Sequence, residues 1–249
     1  MKLSQSGKTR GFNSRLTCPH AFGTARTVTY GTVMLKRLEA SKSEEDFSAR
    51  QREVLDAALR ILIRDGGRLT MSSLAAEANC SKETLYKWFG DRGGLLNAIV
   101  RWQAAQVRVD ALDEDKIDRA GLIASLKQFA SDWLRVVSSE RSLALNRLAI
   151  GHAGDEDDDL GAIVLDNGRF ALGLRLKPAL EKARQAGLIR FDNAEEAFRT
   201  FFGLVARDVH FRLLLGEKLK MDRAAITKES ARAVDQFMIL HAPRASSKS

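Results

Sequence analysis

From Phe47 to the C-terminus apolar residues recur at intervals of three and four, and no alternating stretch of more than four residues suggests a strand, so an all-α fold is expected. The first helix is predicted over 48–65. In it Val54, Ala58, Ile61 and Leu62 fall at i, i+4, i+7 and i+8 and form one apolar stripe, while Arg50, Arg52, Arg60 and Arg64 lie largely off it. Gly66-Gly67 stops that helix. Thr70 is placed to cap a short second helix running to about Ala78, with Leu74, Ala75 and Ala78 as its small apolar face. Asn79-Cys80-Ser81 follows as a turn, and Asn tolerates the left-handed conformation such a turn needs. Ser81 is the expected N-cap of a third helix, Lys82 to about Phe89, where Leu85 and Phe89 stand four apart and face inward together. Gly90-Asp91 ends it, and Asp91 is placed to cap a longer fourth helix from Arg92 towards Asp110.

Beyond the polar break Asp113-Glu114-Asp115-Lys116, helical patterns resume at about 119–138, 141–151, 160–187, 193–215 and 222–241. Pro178 is expected to kink or divide the 160–187 segment, because it lacks a backbone donor and its ring crowds the preceding turn. Asp192 with Glu195 forms a capping-box-like start to the penultimate helix, and Gly216 ends it. The run Asp155-Glu156-Asp157-Asp158-Asp159 lacks the alternating Asp/Asn spacing and terminal Glu of a calcium hand and reads as a solvated loop.

Composition narrows the class. At 249 residues the chain can bury a sizeable core, as one large domain or two small ones. The formal charge of +8 makes a polyanionic partner worth testing, but five basic and no acidic residues in positions 1–33 carry most of it. That segment, rich in Ser, Thr and Gly, has no sustained helical period. Three readings compete for it: a disordered basic arm, an Arg- and Ser-rich transit peptide, or a leader preceding a true start at Met34, the reading preferred here. Cys18 and Cys80 stand far apart in unlike segments, so a disulfide framework is not expected and a reducing, cytoplasmic setting is. No apolar run approaches the roughly 18 residues of a membrane span. His20, His152, His210 and His241 are scattered without ligand spacing, and no metal or other cofactor is expected.

Positions 70–89 make a helix-turn-helix with a supporting helix on either side. Its second short helix buries Leu85 and Phe89 and leaves Lys82, Glu83, Thr84, Tyr86, Lys87 and Trp88 to project. A single helix fits the major groove, where residues near its N-terminus reach base edges. The stretch 50–102, with Val54-Leu55-Asp56-Ala57-Ala58-Leu59, Gly66, Leu69-Thr70-Met71, Leu74-Ala75, Ala78 and above all Ser81-Lys82-x-Thr84-Leu85-Tyr86-x-x-Phe89-x-x-Arg92-x-x-Leu95-Leu96, closely resembles the TetR family of bacterial transcriptional regulators. The resemblance implies a three-helix DNA-binding domain, drawn here at 47–95 after a basic extension of 1–46. A helical effector-binding and dimerisation domain would follow at 96–242, with a short tail at 243–249. It implies a repressor released from a double-stranded DNA operator by a small molecule, and a homodimer. Position by position, it places Lys82, Glu83 and Thr84 near bases, Tyr86 and Arg92 at phosphates, and Thr70 as a donor to a phosphate; Ser81 and Lys87 join the candidate face. Gly67 and Asn79 depart from the family pattern, which usually has an aromatic and a Gly at those positions.

Each assignment has a plainer rival. Tyr86 could be core, Trp88 could pack against the fourth helix, Lys87 could be merely solvated, and Glu83 is repelled by phosphate unless it accepts from a cytosine amino group. Farther on, Phe198, Phe201, Phe202, Val205, Val209 and Leu213 trace one broad face, and Ala224, Ala231, Val234, Phe237, Met238 and Leu240 another. Of these, Phe201, Val205, Val209, Val234, Phe237 and Met238 are the interface candidates the resemblance suggests; ordinary core is the alternative. An effector cavity is expected among the helices of 119–187 and the one from 193, with Phe129, Trp133, Arg147, His152 and Phe170 as the residues to examine. Two other classes remain. An all-α enzyme lacks a nucleophile elbow, a phosphate loop and metal spacing. A helical adaptor with weakened DNA binding is compatible with Gly67 and with only eight basic against six acidic residues in 47–95.

Overall fold

A computed structural model describes residues 47–109, 118–153 and 160–243, and the described residues are helices and their connections, with no strand. The N-terminal extension and the acidic run at 155–159 lie outside the described residues, as does the break at 113–116.

Helix α1, Ala49–Arg64, opens on a capping box: Ser48 accepts from the Gln51 amide while the Gln51 side chain returns to the Ser48 amide. Its predicted stripe is fully buried, with Val54, Ala58, Ile61 and Leu62 at 0% exposure. The chain leaves it through Gly66 and Gly67, at φ +60° and +91°, conformations that cost glycine nothing. Helix α2, Met71–Glu77, is capped by Thr70, and α3, Lys82–Phe89, by Ser81. Between them Asn79 takes the left-handed turn conformation at φ +48°. Arg50 reaches across from α1 to donate to the carbonyls of Ala78 and Asn79, tying that turn down. Helix α4, Arg92–Ala105, is capped by Asp91 and stops short of the expected Asp110.

The remaining helices are α5 (Arg119–Val137), α6 (Glu140–Gly151), α7 (Leu160–Val164), a π-helical segment Leu165–Phe170, α8 (Ala171–Gln185), α9 (Ala194–Ala206), α10 (Val209–Leu214) and α11 (Arg223–Leu240). Three expectations are corrected. The 160–187 segment is interrupted at 165–170 and not at Pro178, around which α8 continues. The cap of α9 is Asn193, whose side chain accepts from Glu195 and Glu196, so the predicted Asp192 box starts one residue early. The 193–215 pattern is two helices, because Arg207 adopts φ +42° and breaks the backbone ladder.

Apolar side chains gather in two clusters. One joins α1 to α4 and is completed by Leu145 and Ala149 of α6 and Leu160 and Ile163 of α7. The other is built from Val107 and helices α5, α8, α9 and α11, around Phe129, Phe198, Phe201 and Phe237. Helix α4 serves both: Leu95, Leu96 and Ile99 belong to the first, and the chain just past its end supplies Val107 to the second.

Candidate DNA-binding face and effector cavity

On α3 the helical period separates scaffold from surface. Leu85 and Phe89 point inward, at 0% and 8% exposure, whereas Tyr86 is 53% exposed. Ser81, Lys82, Glu83 and Lys87 are exposed with it, and Thr84 is half-buried. Tyr86 is therefore not a core aromatic. Trp88 departs from the expectation of a projecting side chain: it is half-buried against the first cluster and lies edge-on to Phe89, with ring centroids 6.1 Å apart. The reason is spacing, since positions 85, 88 and 89 are i, i+3 and i+4 and share one face.

Several of the polar candidates already serve the helix ends. The Ser81 hydroxyl accepts from the Thr84 amide at 3.1 Å and lies 3.1 Å from the Thr84 hydroxyl. A hydrogen bond from its own backbone N–H, and then one from the Ser81 hydroxyl, hold the Glu83 carboxyl below the usual carboxylate range. That is a favourable use of an acid at the positive end of a helix. Thr70 accepts from the Ser73 amide at 3.0 Å and remains exposed. Arg92, half-buried, donates to the carbonyl of Gly67 at 3.2 Å and so ties the start of α4 to the end of α1. A Cβ at Gly67 would meet His152 Nε2 at 3.2 Å and Leu148 at 3.8 Å, so side chains of α6 fill the space beside the departure from the family pattern.

A cavity of about 250 Å³ opens between the end of α4, α5, α6, the π segment and α9–α10. Its walls include Val100, Val107, Trp133, Val137, Leu172 and Phe202, and its polar lining includes Gln103, Ser142, Asn146, Arg169 and His210. Of the residues expected there, only Trp133 lines it. Phe129 is 1% exposed and packs on Phe201 in the second cluster. Arg147 donates to the carbonyls of Leu213 and Leu214, at 2.6 and 2.9 Å, fastening α6 to α10. His152 abuts Gly67, and Phe170, 42% exposed, lies under the Arg169 guanidinium. Sequence reasoning missed Gln103, Phe202, Arg169 and His210 as cavity residues. Gln103 carried a readable signal: it stands on the stripe Leu96, Ile99, Val100, Val107 where an apolar residue belongs. Arg169 enters through the π segment, a local widening of the helix that is frequent at functional sites and that periodicity does not reveal.

The interface candidates are corrected on burial. Phe201, Val205, Val234, Phe237 and Met238 are at most 3% exposed within their own chain and form its core, leaving no surface to offer a second subunit; Val209 is half-buried. They are the inward faces of α9 and α11. Outward, the same region exposes Phe211, Leu215, Ile239 and Leu240, at 58% or more.

An exposed, capped helix carried on a helix-turn-helix, followed by a larger helical body, defines a helix-turn-helix DNA-binding regulator. Residues 54–99 match the family described as bacterial regulatory proteins, tetR family, and residues 124–243 match the C-terminal domain of AefR-like transcriptional repressors. Among solved structures, a TetR transcriptional regulator from Agrobacterium tumefaciens is 44% identical, with 80% of this chain and 97% of that one covered and a TM-score of 0.67. A flavonoid-responsive regulator, FrrA, is 26% identical over 79% of this chain and 98% of its own, with a TM-score of 0.61. A TetR-family structure from Mesorhizobium loti, at 24% identity, 78% and 96% coverage and a TM-score of 0.63, shares the fold. No curated protein matches. The chain belongs to the TetR family of bacterial transcriptional regulators. No described helix is long and apolar enough to cross a membrane.

Proposed function

We propose that this chain is a sequence-specific repressor that acts in the cytoplasm as a homodimer, and that a small molecule entering the cavity releases it from its operator. The observation that carries the reading is α3 itself: a helix anchored by Leu85 and Phe89 whose Lys82, Tyr86 and Lys87 face solvent. Lys82 and Thr84, near the N-terminus, would approach base edges, while Tyr86, Lys87, Thr70 and the free donors of Arg92 would anchor phosphates. A two-fold dimer would set two such helices into successive major-groove half-sites. Its contact would use the outward faces of α10 and α11, where Phe211, Leu215, Ile239 and Leu240 leave apolar surface uncovered.

Coupling would run through α4. One part of that helix packs in the head, while Val100, Gln103 and Ala104 line the cavity. Asn167 of the π segment donates to Asn97 at 2.8 Å, and Arg175 donates to the Ala104 carbonyl at 2.8 Å, so α4 is fastened to the body that would sense the ligand. A shift of α4 on ligand binding would change the separation of the two recognition helices. The test is footprinting and gel shift on DNA upstream of the chain's own gene. Salt-sensitive, sequence-dependent protection is expected. Lys82→Ala should weaken binding, and Tyr86→Ala should weaken it about uniformly across sequences with a shallower salt slope. Absence of sequence-dependent binding would overturn the reading, and a monomer by light scattering at micromolar concentration would overturn the dimer.

A further inference from the structure

The cavity's lining is specific enough to state what it accepts, on the reading just given that it is the effector site. Its volume of about 250 Å³ lies below the roughly 300–1,000 Å³ usual for drug-sized ligands, so the occupant is small. Apolar and aromatic side chains make most of the wall, with Trp133 and Phe202 packed edge to face at a centroid separation of 4.7 Å. A compact, strongly hydrated ion such as inorganic phosphate would bring more oxygens than this largely apolar wall can satisfy.

Against that wall stand polar groups with nothing to bind. Gln103 is 7% exposed and lines the cavity without a side-chain hydrogen bond to any described residue. His210 Nε2 is buried and has no partner among the described residues, and burial pushes the imidazole pKa down, leaving a neutral ring able to donate or accept. Buried polar groups are ordinarily satisfied, so the His210 ring nitrogen is a place where a partner belongs, and the Gln103 amide, lining the same cavity, is open to the same occupant. The guanidinium of Arg169 lies 5.5 Å from the ring centroids of Phe170 and Phe202 and 5.7 Å from that of Phe198. Among the described residues no carboxylate pairs with it, although arginines elsewhere in the molecule, such as Arg135 and Arg199, do have acidic partners. A half-buried cation held by aromatic faces keeps its in-plane donors for an anion, and a guanidinium fork matches a carboxylate.

We propose that the effector is a small aromatic carboxylate bearing a hydroxyl or carbonyl oxygen. Its carboxylate pairs with Arg169, its ring lies among Trp133, Phe202 and the valines, and its ring oxygen satisfies His210 and Gln103. An aliphatic acid would leave the aromatic wall and those two polar groups poorly used, and a cation would be repelled by Arg169.

The test uses the full chain and matched probe pairs, namely benzoate, 4-hydroxybenzoate and 4-hydroxycinnamate, each against its neutral amide. Binding is read by calorimetry and by tryptophan fluorescence. At least one carboxylate is expected to bind ten-fold or more tightly than its amide. Arg169→Gln should abolish that preference and Arg169→Lys should keep most of it, with circular dichroism confirming the fold of both. His210→Phe should weaken the hydroxylated probes while sparing benzoate. Equal binding of acid and amide, an acid preference that survives Arg169→Gln, or no binding of any probe would each overturn the proposal. Gel shift on the same preparation separates this failure from the other: protein that grips its operator but ignores the carboxylates refutes only the ligand chemistry, while protein that takes the carboxylates but no DNA refutes only the regulator.

Discussion

The head formed by α1 to α4 and the body formed by α5 to α11 are held together by different chemistry. Among the described residues, the interior of α1 to α3 is apolar throughout, closed by Val54, Leu55, Leu62, Leu74 and Leu85. The polar side chains of these helices lie off that interior, and at the helix starts Ser48, Thr70 and Ser81 satisfy first-turn amides. The body buries polar side chains within it, Ser125, Asp132, Ser142 and Ser230, and Gln103, at the far end of α4, faces it across the cavity. Asp132 is fully buried, accepts from Arg108 and Arg135, and through Arg108 links α5 to the chain just past α4. A dry core has one good packing and suits a part that must present α3 in a fixed attitude. Polar networks and a cavity have alternative arrangements of similar energy, which suits the effector-responsive role proposed for the body.

The largest expected effect is a break in the dry head. Leu74→Ala removes a side chain at 0% exposure and should lower stability by about 2–5 kcal/mol, read from the denaturant midpoint, with operator binding lost in proportion to unfolding. Retention of full stability would mean the head can repack, and the contrast with the body would fall.

The body's counterpart is electrostatic. Replacing Arg108 and Arg135 together by Ala strands the buried Asp132 carboxylate and should cost roughly 3 kcal/mol. Burial pushes that carboxyl up, but hydrogen bonds from Arg108, Gln128 and Arg135 together outweigh it and hold it below the usual carboxylate range. A carboxyl that titrates lower in the folded than in the unfolded chain stabilises above its unfolded pKa of about 3.9, and that contribution is lost as pH falls through the folded value. The denaturation midpoint of the wild type should thus fall more steeply between about pH 5 and 3 than that of Asp132→Asn. Equal slopes would show that the network contributes nothing to folding.

Smaller effects sharpen the comparison. A Cβ at Gly173 would sit 2.9 Å from the ring of Phe198, itself 1% exposed, so Gly173→Ala should cost about 1–3 kcal/mol by overpacking α8 against α9. It should disturb probe binding in the cavity more than DNA binding, because the strain lies next to Phe198 and Arg169. Thr70→Ala removes the α2 cap and should cost about 1 kcal/mol in thermal unfolding, with cavity binding unchanged. A change in probe affinity there would tie head and body more closely than their separate cores suggest.

Legibility followed the same divide. In the head, stripe, caps and turn are local: Val54 to Leu62 declare their face by spacing, Thr70 and Ser81 their helix starts by hydroxyl chemistry, and Asn79 its turn by its tolerance of positive φ. For Trp88 the alternative of inward packing is the one the structure favours, as its i+3 relation to Leu85 already indicated, and α4 ends at Ala105, short of the expected Asp110. In the body, periodicity identified apolar faces but not what would cover them. Phe201, Val205, Val234 and Phe237 could cover a neighbouring helix or a neighbouring subunit with the same pattern, and burial within one chain decided it.

What the amino-acid order determined by itself was therefore much of what depends on neighbours within a turn or two: the stripe and caps of α1 to α3, the helix-turn-helix and the solvent face of α3. Only the tertiary structure decided which residues meet across long separations, such as Asn97 with Asn167 and Arg147 with Leu213, and that Gln103, Arg169 and His210 surround one cavity. The physical reason is that a backbone hydrogen-bond ladder and a side-chain period are set locally, whereas a cavity is the volume that several helices, packing for other reasons, fail to fill.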